Sequence, residues 1–116
     1  MSSPDPARDM IQQLSVSQLE KWLHKNDEAP LILDVREPWE CTICSLPDSV
    51  YMPMGSVPAR YYELDQDQDI VVLCHHGIRS DQVARFLGGQ GFTRLFNLQG
   101  GIDAWAKDIE TKMETY

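Results

Sequence analysis

A chain of 116 residues suffices for one compact domain with a real core, so neither a disulfide framework nor a structural metal is needed to hold it together. A formal net charge of -8 argues against nucleic acid and anionic membranes as partners, and no apolar run approaches the length of a membrane span. Three cysteines leave an odd one, and the first ten residues lack the basic-then-apolar layout of a signal peptide, so the expected compartment is a reducing cytoplasm.

Residues 1–10 are polar, proline-bearing and aperiodic, which predicts a flexible tail ahead of a single domain over residues 11–116. Ser15 or Ser17 can cap a helix that places Val16, Leu19, Trp22 and Leu23 on one face, ended by the stretch from Asn26 to Pro30. Leu31-Ile32-Leu33, stopped by Asp34, is a continuous apolar run suited to a strand buried on both faces. A short strand over Ser49 to Met52 and a polar helical piece after Pro58 follow. Ile70-Val71-Val72-Leu73 is a second buried strand, ending at Cys74. Ser80 opens the next helix, with Val83, Phe86 and Leu87 on one side and Gly88, Gly89 and Gly91 at its end. Leu95 to Leu98 is the last strand, and Gly100-Gly101 turns into a final helix carrying Ile102, Trp105 and Ile109. Strands alternating with helices indicate an α/β domain built on a mostly parallel sheet.

The chemistry concentrates in Cys74-His75-His76-Gly77-Ile78-Arg79-Ser80, a cysteine at the carboxyl end of a buried strand followed closely by a helix. That edge of an open α/β sheet is where ligands bind. A loop curling between strand and helix aims backbone N–H groups inward and, with the positive end of the helix, forms an anion cradle that favours a reactive thiolate. Gly77 supplies the backbone freedom, and Arg79 a fixed charge and a forked donor suited to a sulfur oxyanion. A buried cysteine is commonly just a small hydrophobe. That plainer reading leaves two histidines, a glycine and an arginine in one turn unexplained. His75 and His76 act through their rings or, by the plainer reading, chiefly through their backbone N–H groups. Adjacent residues do not converge easily on one tetrahedral ion, so no metal is expected.

Three motifs in order resemble signatures of the rhodanese family: Leu33-Asp34-Val35-Arg36-Glu37-Pro38-Trp39-Glu40, the Cys74–Ser80 loop, and Leu98-Gln99-Gly100-Gly101-Ile102-Asp103-Ala104-Trp105. The resemblance implies a three-layer α/β/α fold with a five-stranded parallel sheet. It implies a sulfurtransferase in which Cys74 takes sulfane sulfur from thiosulfate or another persulfide and passes it to cyanide, a thiol or a protein. It implies His75, His76, Gly77, Ile78 and Arg79 as substrate-binding residues, and no bound cofactor. The implied partners are small sulfur donors and thiol acceptors, with a sulfur-relay protein as a further one. Ser45 and Asp48 stand where the family often has histidine and glycine, which predicts a changed turn, and Tyr51 replaces a residue that is often histidine or asparagine.

Asp34 is expected to support the loop, by bonding its amides or Arg79, or else to cap the next helix; Ser80 joins it as loop support. Arg36 and Glu37 read as an ion pair or surface charges, Cys41 and Cys44 as packing residues, and Trp22, Trp39 and Trp105 as core or rim aromatics. Two rival functions stand beside sulfur transfer. Cysteine-dependent phosphatases place five residues between cysteine and arginine to wrap a phosphate, whereas here only His75, His76, Gly77 and Ile78 intervene. A sulfur-carrier or regulatory module without thiosulfate turnover is the other.

Overall fold

Short runs of β-branched and leucine residues bury their alternating side chains on two opposite faces, and this arranges the whole molecule. The computed structural model describes residues 11–25 and 28–116; the tail expected over residues 1–10, and Asn26 and Asp27, lie outside the described residues. Five strands, β1 (Ile11–Leu14), β2 (Leu31–Asp34), β3 (Val50–Tyr51), β4 (Ile70–Leu73) and β5 (Leu95–Leu98), form one sheet in the order β1-β5-β4-β2-β3. Every pairing is parallel. The helices are α1 (Val16–Leu23), α2 (Pro38–Ile43), α3 (Val57–Arg60), α4 (Ile78–Gly89) and α5 (Gly101–Asp108).

Strand β4 shows how the two faces are made. Ile70 and Val72 join Leu33, Val57, Val83, Leu87 and Phe92 in one core, on the side of α3 and α4. Val71 and Leu73 join Val16, Leu19, Leu98, Ile102 and Trp105 in the other, on the side of α1 and α5. The period of two along a strand divides the apolar residues between the layers. Ser15 caps α1 through the Gln18 N–H, and the Gln18 side chain returns a bond to the Ser15 N–H.

Three local expectations are corrected. The residues of β1 do not announce a strand: Gln12 and Gln13 are exposed and only Ile11 and Leu14 are apolar, so its order comes from pairing with β5. Helix α4 begins at Ile78 rather than Ser80, because Gly77, at φ 100°, turns the chain directly into it; Ser80 lies within the first turn. Gly88 and Gly89 stay helical, and Gly91 at φ 99° makes the left-handed exit. Asp48, which stands where the family often has glycine, is the one non-glycine residue with positive φ among the described residues. It adopts φ 62°, a region in which aspartate is among the few tolerated side chains.

Candidate active site

Cys74 follows the last residue of the central strand β4 and is 1% exposed. Its sulfur accepts the Gly77 N–H at 3.0 Å and lies 3.3 Å from Ser80 Oγ. The Ser80 hydroxyl donates to Asn97 Oδ1, so toward Cys74 it presents a lone pair to the thiol proton. Asn97, on β5, donates in turn to the Gly77 carbonyl at 3.1 Å and to Gln13 Oε1 at 2.9 Å. Its side chain thus ties the Gly77 turn to two strands. Sequence reasoning missed Asn97, whose one signal is a polar residue inside an otherwise apolar strand.

The loop is seated on α5 by its backbone. The N–H groups of Ile102 and Asp103 donate to the carbonyls of Cys74 and His75 at 2.9 and 3.1 Å. Gly101, at φ 59°, permits that approach, since a Cβ there would overlap both carbonyl oxygens. His75 lies between Tyr116, on which it stacks, and His76, whose ring is tilted 33° to it, each ring centroid 3.9 Å away. Burial, helped by the neighbouring His76, lowers the His75 pKa, so the ring is neutral near pH 7. His76 is exposed, with Nδ1 3.8 Å from Asp103.

The charged groups are distributed differently from expectation. Asp34 bonds neither the loop amides nor Arg79. Arg36, two residues on, turns back and gives it its N–H, Nε at 2.9 Å and Nη2 at 2.7 Å. Arg36 is fully buried rather than on the surface, and its partner is Asp34 rather than Glu37. Burial opposes the charge on Arg36, and the bonds to Asp34 and Tyr116 more than offset it. Arg79 meets Glu40 in a two-pronged pair with both distances 2.7 Å. Glu40 also accepts the Glu37 N–H at 2.7 Å and the Tyr116 hydroxyl at 2.9 Å. The Tyr116 oxygen accepts from Arg36 at 3.0 Å, so it bridges the Asp34–Arg36 and Glu40–Arg79 pairs.

The bond from Arg79, followed by those from Glu37 and Tyr116, outweighs burial and lowers the Glu40 pKa from 4.5 to about 2. A folded-state value below the unfolded one stabilises the protein above the unfolded value, and that stability is lost as pH falls through the folded value. Unfolding midpoints in denaturant should therefore drop between pH 4.5 and about 2, with Glu40 contributing on the order of 3 kcal/mol at neutral pH. Glu40→Gln should flatten that part of the profile. An unaltered acid slope in the variant would remove Glu40 as its cause.

Cys41 and Cys44 are free and half-buried. Burial, with the Asp34 carboxylate 3.6 Å away, pushes the Cys41 thiol up to about 11, which suits a packing role. Trp105 is buried, Trp22 is half-buried with its indole on the Glu28 carbonyl, and Trp39 is 59% exposed at the rim, edge-on to Tyr116.

A family model described as "Rhodanese-like domain" matches residues 15–108. The chain belongs to the rhodanese-like family. A "Sulfurtransferase" of Allochromatium vinosum is 36% identical over 98 residues, covering 84% of this chain and 91% of that protein. "Thiosulfate sulfurtransferase GlpE" of Pseudomonas syringae pv. syringae is 34% identical over 79 residues, covering 68% and 74%. Among solved structures, a rhodanese-related protein from Thermoplasma volcanium superposes with a TM-score of 0.76 at 28% identity, covering 84% of this chain and 93% of that one. The two sequence relatives are named sulfurtransferases, which places this chain in a sulfurtransferase family. Among the described residues, no helix is long and apolar enough to cross a membrane.

The structure brings Cys74, Gly77 and Ser80 into one bonded group, with His75 and His76 at the loop and Ile78 71% exposed beside it. Arg79 stands at this rhodanese loop with its fork turned to Glu40, and Asp34 reaches it only through Arg36, Tyr116 and Glu40. Glu40 and Tyr116 were missing from the expected site. Glu40 carries a faint signal, a glutamate three residues after Glu37 at a helix start; Tyr116 carries none.

Proposed function

We propose that this rhodanese moves sulfane sulfur through a persulfide on Cys74. The observation that carries the reading is the Gly77 N–H aimed at the Cys74 sulfur at 3.0 Å, at the strand end where α4 begins. A backbone donor there meets an anionic sulfur without reorganisation. In the first step the Cys74 thiolate attacks the outer sulfur of thiosulfate or of another persulfide. The donor S–S bond breaks, and sulfite or a thiolate leaves with the electron pair. In the second step cyanide, a thiol or a protein acceptor attacks the terminal sulfur, and the Cys74 thiolate departs. The sulfane sulfur changes carrier with no net oxidation.

His75, His76 and Ile78 shape the mouth, Gly77 supplies the donor and its turn, and Ser80 fixes the sulfur's position. Arg79 is the positive group at the rim, and Asp34 acts at one remove by holding Arg36 beneath Tyr116. Small sulfur donors, thiol acceptors and a sulfur-relay protein are the proposed partners, with no bound cofactor. A reducing cytoplasm would keep the Cys74 thiol free.

Intact-protein mass spectrometry tests the reading. Incubation with a sulfane donor should add one sulfur, peptide mapping should locate it on Cys74, and cyanide should erase it. Sulfur carried on Cys41 or Cys44 instead would overturn the assignment.

A further inference from the structure

Arg79 has the chemistry of an anion receptor, yet its fork is occupied. Both terminal nitrogens lie 2.7 Å from Glu40 oxygens, so the guanidinium charge is matched by a carboxylate. Glu40 is not free to swing aside. It is 2% exposed, and its oxygens also hold the Glu37 N–H and the Tyr116 hydroxyl. Tyr116 is itself fixed by Arg36 and by its stack on His75, with the ring planes 15° apart. Drawing Arg79 away to a substrate would strand a buried carboxylate, which is strongly unfavourable. The net charge of -8 adds no general attraction for an anion. At the end of the loop the apolar side chain of Ile78 is exposed.

The two donor classes place different demands on such a site. Thiosulfate brings two negative charges and releases sulfite, also a dianion. The persulfide of an organic thiol brings at most one charge on its reacting sulfurs and carries an organic group that can lie against the exposed Ile78. Its reaction balances simply: Cys74–S⁻ and R–S–SH give Cys74–S–SH and R–S⁻, with one S–S bond formed and one broken.

We propose that Glu40 sets the donor choice, neutralising Arg79 so that the site takes sulfur from the persulfide of an organic thiol in preference to thiosulfate. The proposal rests on the Cys74 persulfide reading. Its test compares loading of the full chain by thiosulfate and by the persulfide of N-acetylcysteine amide, whose organic part is uncharged. Single-turnover rates are read by mass at several donor concentrations. For the wild type, kcat/KM should favour the organic persulfide by about tenfold or more. Glu40→Gln should shift the ratio about tenfold toward thiosulfate, mainly through a lower KM for thiosulfate, because Arg79 regains an uncompensated charge. Tyr116→Phe keeps the stack on His75 and every formal charge but removes one of the bonds that hold Glu40 against Arg79, and should shift the ratio the same way by a smaller factor.

Thiosulfate equalling or exceeding the organic persulfide on the wild type overturns the proposal. So does an unchanged ratio in folded Glu40→Gln, or in Tyr116→Phe if the first variant fails to fold. Loading by neither donor is a different failure, since it removes the Cys74 persulfide reading and this proposal with it.

Discussion

Cys74→Ser is expected to abolish sulfur loading from every donor while costing only about 1–2 kcal/mol of stability. The two effects separate because the residue has two independent relations to its surroundings. As a packed group it is small, buried and in contact with the Gly77 N–H and Ser80 Oγ, and a serine hydroxyl can accept the first bond and donate the second. As a nucleophile it cannot be replaced, since carrying a persulfide requires a sulfur atom and a hydroxyl is a far weaker nucleophile at neutral pH. Intact mass after donor incubation should show no added sulfur on the variant, and its denaturant midpoint should stay near that of the wild type. Continued one-sulfur loading of the variant would refute Cys74 as the carrier.

The parts of this molecule that were legible in the sequence share one property: their causes are local. The apolar runs at Leu31 and Ile70 fix strands because alternating side chains along a short segment must find two cores, and they did. Cys74, Gly77 and Ser80 are recognisable because a strand end, a left-handed turn and a helix start lie within seven residues of one another. The resemblance to rhodaneses rests on motifs of the same compactness.

What stayed hidden is held together by contacts between distant parts of the chain. Glu40 reaches Arg79 across 39 positions, Tyr116 reaches Glu40 across 76, and Asn97 reaches Gln13 across 84. None of these pairings leaves a periodicity or a spacing to be read. Asp34 and Arg79 looked like partners because both lie at the carboxyl edge of neighbouring strands. The deciding fact was that Arg36, only two residues from Asp34, turns inward and takes it, leaving Arg79 to Glu40. Strand β1 belongs to the same class, since two glutamines between two apolar residues acquire strand order only from β5.

Gly101→Ala is the second large effect, and it should damage activity beyond what it costs in stability. Gly101 opens α5 at φ 59°, and the space where a side chain would begin is already filled by the carbonyl oxygens of Cys74 and His75. Alanine must bear left-handed backbone strain of about 1 kcal/mol and overpacking of about 1–3 kcal/mol, for a total loss of roughly 2–4 kcal/mol. Relief requires α5 or the Cys74–His75 peptide to move, and moving either disturbs the bonds from Ile102 and Asp103 that seat the loop. A shift of about 1 Å in a reacting group can cost a hundredfold in rate, so sulfur loading should fall by one to two orders of magnitude even where the variant is fully folded. Gly89→Ala is the matched control. No atom lies within 4 Å of the added methyl, and in the last turn of α4 the change should be neutral or stabilising by up to about 1 kcal/mol, with loading unaffected. Equal loading rates in folded Gly101→Ala and Gly89→Ala would mean that the seat of the loop on α5 does not govern the position of Cys74.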